Sequence, residues 1–125
     1  MRSIILVMKR KSMAQGLMLK MQAEPEVKLI LQTDYALACG EIVSSAASAA
    51  VIEAAEDGQY NVEYCLVLCG LIRERAPECG LMLLCPESGA AGIEQAVSAK
   101  RSGAIDDFIF YDAGMEYMVA KLLSL

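Results

Sequence analysis

Apolar runs alternate with amphipathic segments along the whole chain. The runs SIILVM, VKLIL, GLMLLC and DFIFY contain almost only apolar residues, which is typical of strands buried on both faces of a parallel sheet. Between them, apolar residues recur at helical spacing, as Met13, Leu17 and Met21 do. A strand followed by a helix, repeated along the chain, predicts βαβ units and a parallel sheet with helices on both faces.

Several residues predict where the helices begin and end. Ser12 and Asp34 are suitable N-caps for the first and second helices. Pro25 and Pro77 end helical segments, and Gly103 suits the residue that follows a helix C-terminus. These positions place each predicted helix between two of the apolar runs.

The stretch AAVIEAAEDG, residues 49–58, fits two structures. Alanine favours a helix, and one helix from residue 35 to 57 would leave Glu53 on a solvated face. Alternatively, AAVIE is a buried strand that ends at Glu53, and Glu-Asp-Gly forms the turn behind it. The strand gives five strands and five helices, and it avoids a very long helix in a compact domain. We therefore predict a strand ending at Glu53.

Composition predicts one globular domain over residues 1–125. Of the 125 residues, 56% are hydrophobic, which is enough for a core and too many for a disordered chain. The formal net charge of −5 argues against nucleic-acid binding by this domain, which requires an extended basic surface. The apolar runs are too short to span a membrane or to act as a secretory signal. We expect a soluble cytoplasmic protein without membrane contact.

The five cysteines are predicted to be reduced core residues. Their odd number and apolar surroundings fit thiols in a cytosolic protein. Cys65 and Cys69 are four residues apart and share a helix face. The chain has no histidine and no CxxC motif, so we expect no zinc site, and we expect no cofactor.

Two segments resemble the receiver domain of bacterial two-component response regulators, the CheY-like family. SAKRSGAIDDFIFYDAG is similar to that family's A-x-x-x-G-A-x-D-Y-L-x-K-P segment, with one extra residue. LCGLIRERAPECGLMLLCPE is similar to its third helix and fourth strand. The resemblance spans nearly the whole chain. It implies a three-layer αβα, flavodoxin-like (βα)5 fold with strand order 2-1-3-4-5 and a site near the strand 1/strand 3 switch point.

The resemblance also implies the site positions, and all of them differ from the family pattern. Glu53 falls at the aspartate that accepts the phosphoryl group, and Met8 and Lys9 fall at the acidic pair that holds Mg²⁺. Cys85 falls at the hydroxyl residue, and Tyr111 falls at the lysine. Mg²⁺ prefers hard oxygen ligands, which methionine and lysine do not supply. We therefore expect a degenerate receiver that is not phosphorylated, has no catalytic residue and holds no metal.

Such a domain is expected to act through protein contacts. The resemblance also implies that it could be the regulatory part of a transcriptional regulator. Receivers commonly use the helix 4–strand 5–helix 5 face, where Arg101, Tyr117 and Lys121 are candidate interface residues. We predict a homodimer through this face.

Glu53 itself has two interpretations. It imitates the negative charge of a phosphorylated aspartate, or it is a polar residue left in an inactive site, since a carboxylate has less charge than a phosphate. We predict that Lys9 or Arg10 pairs with Glu53. The alternative is that Lys9 points to water and that Glu53 is solvated or bound to backbone amides.

Two other functions remain open. Cys85 next to Pro-Glu-Ser-Gly suggests a cysteine-dependent enzyme, but the chain has no histidine to act as its base. The basic loop Lys9-Arg10-Lys11-Ser12 suggests a nucleotide or flavin site, but it lacks the glycines of a phosphate-binding loop.

Overall fold

A computed structural model describes residues 2–87 and 89–125. Five parallel strands form one sheet in the order β2-β1-β3-β4-β5. The strands are β1 Arg2–Val7, β2 Val27–Gln32, β3 Ala49–Glu53, β4 Gly80–Cys85 and β5 Asp107–Phe110. The helices are α1 Lys11–Met21, α2 Tyr35–Ser44, α3 Val62–Arg75, α4 Ala90–Ser102 and α5 Met115–Leu123. The predicted flavodoxin-like fold and strand order are confirmed.

The stretch AAVIE is the central strand β3, and all five of its residues are buried. It pairs with β1 on one side and β4 on the other, so that Ile52 lies beside Val7 and Leu83. A strand in this position has no exposed face, and its apolar sequence fits that burial. Burial between two strands therefore prevails over the helix propensity of alanine.

The side chains of successive strand residues alternate between two core layers. One layer holds Ile5, Ile52 and Cys85 beneath α2, α3 and α4. The other holds Leu6 and Val51 beneath α1 and α5. Glu53 follows Val51 with a spacing of two, so its side chain lies on the α1/α5 side of the sheet.

Of the five predicted helix boundaries, three are confirmed and one is wrong, while α1 ends at Met21, four residues before Pro25. Asp34 accepts a hydrogen bond from the Ala36 amide at the start of α2. Pro77 lies just beyond α3, and Gly103 ends α4 with a φ of 83°. Ser12 is not an N-cap, because α1 begins at Lys11 and leaves Ser12 within the first turn. The N-cap position is occupied by Arg10, whose backbone amide binds the carboxylate of Glu53.

All five cysteines are free thiols, and four of them are buried. Within the described residues, no helix combines the length and the apolar character required to cross a bilayer.

Candidate functional site

The carboxylate of Glu53 binds the backbone that leads from β1 into α1. Its Oε1 accepts hydrogen bonds from the amides of Lys9, at 2.8 Å, and Arg10, at 3.2 Å. The side chain is only 5% exposed. This arrangement follows from the sheet, since β1 and β3 are parallel neighbours and their carboxyl ends meet at the same edge. Glu53 is thus a buried carboxylate at the switch point, as predicted for the end of a strand.

Arg10 pairs with the second oxygen of the same carboxylate. Its Nε lies 3.6 Å from Glu53 Oε2, which is an ion-pair distance that exceeds normal hydrogen-bond length. Consistent with this, Oε2 has no hydrogen-bond partner among the described residues. The guanidinium also lies over the ring of Tyr111, with Cζ 4.1 Å from the centroid. Arg10 is therefore held from two sides while about half of its side chain remains exposed.

Two tyrosine hydroxyls fix the backbone where β3 ends. Tyr35 donates to the carbonyl of Glu53 at 2.5 Å, and Tyr111 donates to the carbonyl of Ala54. Burial is the main cause that raises the pKa of both hydroxyls above the ordinary range for tyrosine. Both groups therefore stay protonated and act as donors at any physiological pH.

Lys9 does not place its ammonium group at Glu53. Its Nζ lies over the rings of Tyr60 and Tyr35, at 5.3 Å and 5.9 Å from their centroids. Those two rings stack on each other with centroids 4.2 Å apart. The predicted pairing of Glu53 with Lys9 or Arg10 is thus made by the Arg10 side chain. Lys9 contributes only its backbone amide, and binding of Glu53 to backbone amides was the alternative to an ion pair with Lys9.

These groups surround a cleft of about 620 Å³ at the carboxyl edge of the sheet. Lys9 and Arg10, which follow β1, form one wall, and the tyrosine rings and Pro86 supply an apolar surface, which we call the floor. The exposed acidic residues Glu56, Asp57 and Glu87 also line the cleft. The volume falls within the range of about 300–1,000 Å³ that is usual for small-molecule sites.

Two residues expected in this pocket are buried in the core beneath it. Met8 is fully buried in the layer under α1 and α5, and Cys85 is 1% exposed in the layer under α2, α3 and α4. Neither lines the cleft. The alternation of strand side chains sends them to opposite faces of the sheet, whereas Lys9 and Tyr111, which were also expected there, do line the cleft.

Burial also determines the chemistry of Cys85. It raises the pKa of the Cys85 thiol to about 12, so the group is a neutral thiol at physiological pH and a poor nucleophile.

The residues at the cleft do not fit a bound Mg²⁺. Met8 has no oxygen ligand to offer and lies in the core, while the side chains of Lys9 and Arg10 bring two positive charges to the cleft. The carboxylate of Glu53 already binds two amides and a guanidinium. Within residues 2–87 and 89–125, no group of three or more His, Cys, Asp or Glu residues is arranged to hold a metal ion.

The three candidate interface residues lie on α4 and α5. Arg101 is exposed in the last turn of α4, and Tyr117 is 52% exposed on α5. Lys121 binds the Asp107 carboxylate at 2.6 Å and also lies 5.6 Å from the Tyr117 ring. Lys121 is therefore engaged within its own chain, and Tyr117 is partly covered by it.

Sequence reasoning missed Tyr35 and Tyr60 as site residues. Both follow the carboxyl end of a strand, Tyr35 after β2 and Tyr60 in the loop after β3. That position is the signal that would have found them, because such loops lie at the same edge of the sheet as Glu53.

The comparisons with known proteins identify the fold. No protein-family model and no curated protein matches the sequence. Solved structures are similar over almost the whole chain. A LuxR-family DNA-binding response regulator from Staphylococcus aureus is 12% identical with a TM-score of 0.77, and the match covers 99% of this chain and 98% of that one.

Two further structures extend the comparison. The signal receiver domain of a LuxO repressor protein from Vibrio parahaemolyticus is 13% identical with a TM-score of 0.79, covering 99% of this chain and 89% of that one. A structure named as an adenylate cyclase, from Rhodopirellula baltica, is 16% identical with a TM-score of 0.80, covering 98% and 85%. The chain has the fold of response-regulator receiver domains.

Proposed function

We propose that the chain is a degenerate receiver domain that signals through protein contacts and is not phosphorylated. The observation that carries this proposal is the state of Glu53. Its carboxylate is buried, with one oxygen bound by two backbone amides and the other facing a guanidinium. A carboxylate held in this way has one oxygen occupied by two donors and the other beside a cation, which opposes attack on a phosphodonor.

The replacement of the acidic pair by Met8 and Lys9 supports the same conclusion, and within the described residues the acidic side chains form no group able to hold a metal ion. Phosphoryl transfer depends on positioning and on charge stabilisation, which a metal ion normally supplies. Here Arg10 sits beside the strand-end carboxylate instead. In this proposal the Arg10 guanidinium replaces the metal as the counter-charge, and it holds the pocket in one state.

The proposed output is a change of protein partner or of partner affinity, and a homodimer through the α4–β5–α5 face remains part of the proposal. Of the three candidate interface residues, Arg101 and Tyr117 are exposed, and Lys121 contacts Tyr117. We also propose a cytoplasmic location, which the five free thiols support. A role within a transcriptional regulator is supported by the shared fold with the DNA-binding response regulator from Staphylococcus aureus.

An enzyme that uses Cys85 is less well supported. The raised pKa and the burial of this thiol oppose a nucleophilic role, although one similar structure is named as an adenylate cyclase.

Beryllofluoride with Mg²⁺ tests the proposal, because it binds at a receiver aspartate as a phosphoryl analogue and requires the metal. We expect no change in the ¹H–¹⁵N NMR spectrum of this chain when both are added. A receiver that retains the aspartate and the acidic pair serves as the positive control. Saturable shifts around Glu53 would contradict the proposal.

Sedimentation velocity tests the proposed dimer separately. We expect a dimer at high micromolar protein that is weakened by Tyr117→Glu, and not by the matched exposed substitution Leu19→Glu on α1. A monomer at every concentration would refute the dimer and leave the conclusion about Glu53 untouched.

A further inference from the structure

The cleft above Glu53 contains two positively charged groups whose positions are fixed by aromatic rings. Arg10 lies over Tyr111, and Lys9 lies over Tyr60. Cation–π contacts of this kind orient a cationic group without neutralising its charge. Lys9 therefore keeps its charge for a ligand that enters the cleft, while Arg10, whose Nε already pairs with Glu53, can offer its Nη groups.

Arg10 offers one edge of its guanidinium to the cleft. Its Nε faces Glu53, and within residues 2–87 and 89–125 neither Nη group makes a hydrogen bond or an ion pair. The exposed fraction of the side chain is 54%. A guanidinium held in this way presents two parallel donors, which is the geometry that binds a carboxylate or a phosphate through two oxygens.

Lys9 adds a second donor on the same wall. Within the described part of the chain its Nζ makes no ion pair, although acidic residues also line the cleft. The backbone amide of Lys9, not its side chain, holds Glu53. Among the described residues, the partners of the ammonium group are thus the tyrosine rings alone.

The remaining lining limits the kind of anion that fits. Four carboxylates also line the cleft, those of Glu53, Glu56, Asp57 and Glu87, and they disfavour a polyanion such as a nucleic acid or a polyphosphate. The floor of Pro86 and tyrosine rings provides apolar and aromatic surface to an organic body. A small molecule with a single oxyanion group next to Lys9 and Arg10 adds the least negative charge to this lining.

From these contacts we infer that Lys9 and Arg10 bind the oxyanion of a small organic ligand, a carboxylate or a phosphate, whose apolar body lies on the tyrosine floor of the cleft. The ligand is bound without covalent chemistry. This activity goes beyond the proposed function, because it makes the degenerate receiver a sensor of a small molecule.

NMR titration of the full chain tests the inference. Benzoate, phenyl phosphate and inorganic phosphate are each added to about 10 mM at moderate salt, since a weak site has a dissociation constant near 1 mM. We expect saturable shifts at the amides of Lys9, Arg10, Tyr60 and Tyr111. Phenyl phosphate compared with benzoate identifies the preferred oxyanion, and phenyl phosphate should bind more tightly than inorganic phosphate because its ring contacts the floor.

Lys9→Gln is the decisive variant, because it keeps the backbone amide that holds Glu53 and removes only the charge. We expect affinity to fall at least about tenfold, as for the loss of a charge-assisted hydrogen bond. Arg10→Lys should also weaken binding, since it keeps the charge and loses the two parallel donors. Lys28→Gln, an exposed lysine on β2, is the matched control and should bind as the parent does.

Three results would overturn the inference. They are the absence of saturable shifts with all three probes, equal affinity in Lys9→Gln and the parent, and binding of inorganic phosphate as tight as that of phenyl phosphate. The titrations contain no Mg²⁺ and no phosphodonor, so their outcome is independent of whether Glu53 accepts a phosphoryl group.

Discussion

Replacing Arg10 with methionine removes the charge that faces the buried carboxylate of Glu53 while keeping a long apolar side chain over Tyr111. The backbone amide of residue 10 remains, so the carboxylate keeps its two amide donors. The substitution therefore isolates the guanidinium from the rest of the site. We expect the variant to fold and to be less stable than the parent.

The size of the effect follows from the distance and the exposure. Two unit charges at 3.6 Å interact by about 4–5 kcal/mol at an effective dielectric constant of about 20. Arg10 is 54% exposed, which favours solvent screening, while Glu53 is 5% exposed and loses part of its solvation in the folded state. The net coupling between the two side chains should be about 1 kcal/mol.

A double-mutant cycle of Arg10→Met and Glu53→Gln measures that coupling by urea denaturation at neutral pH. The cycle of Lys9→Met with Glu53→Gln is the matched control, because it removes the same charge one residue earlier, from an ammonium that lies over Tyr60. We expect its two effects to be additive within about 0.5 kcal/mol. Additive effects in the Arg10 cycle, or stronger coupling for Lys9 than for Arg10, would refute the assignment of the ion pair.

Three other properties are testable. Tyr111→Phe should cost about 1–3 kcal/mol of unfolding free energy because it leaves a backbone carbonyl without its donor, whereas Tyr60→Phe should cost less, as the Tyr60 hydroxyl makes no hydrogen bond within the described residues. Burial raises the pKa of Asp107, but hydrogen bonds from two lysines and an amide outweigh it and lower the pKa below its usual value. Its stabilisation is therefore complete above the unfolded pKa of about 4 and is lost as pH falls through the folded pKa, so Asp107→Asn should flatten the acid limb of a urea-stability profile. Iodoacetamide should label half-buried Cys39 in the folded protein and Cys85 only after unfolding; equal rates for the two thiols would contradict the structure.

The sequence pattern was sufficient to predict a parallel sheet with helices on both faces, whereas the strand order was predicted from the resemblance to receiver domains. Buried parallel strands and amphipathic helices have different periods, and both periods are visible along the chain. The secondary structure of β3 was the most difficult to predict, because its alanine content favours a helix and only the strand–helix order of the whole chain favours a strand. Glu53 could be placed at the end of that strand because a polar residue ends an otherwise apolar segment.

The details of the site depend on contacts that the sequence pattern does not contain. Met8 and Cys85 were expected in the cleft because the resemblance puts them at site positions, but the face to which each side chain points depends on the exact strand register. Tyr35 begins α2 and Tyr60 lies in the loop after β3, and their stacking depends on how these two segments fold over the sheet. The choice between Lys9 and Arg10 as partner of the carboxylate likewise depends on the path into α1.

The sequence also did not predict which apolar helix residues are exposed. Leu37 on α2 and Val67 and Leu71 on α3 are at least half exposed, although each lies in a largely apolar helical segment. A residue's position around a helix axis decides exposure, and that position depends on which neighbouring helices cover it.

Intact-mass analysis after incubation with acetyl phosphate and Mg²⁺ shows directly whether Glu53 accepts a phosphoryl group. A receiver that carries the aspartate and the acidic pair is treated in parallel to show that the phosphodonor is active. We predict that this chain gains no phosphoryl mass, because the carboxylate of Glu53 is bound by two amides and faces Arg10. An acid-labile phosphoryl group on this chain, lost on substitution Glu53→Gln, would contradict it.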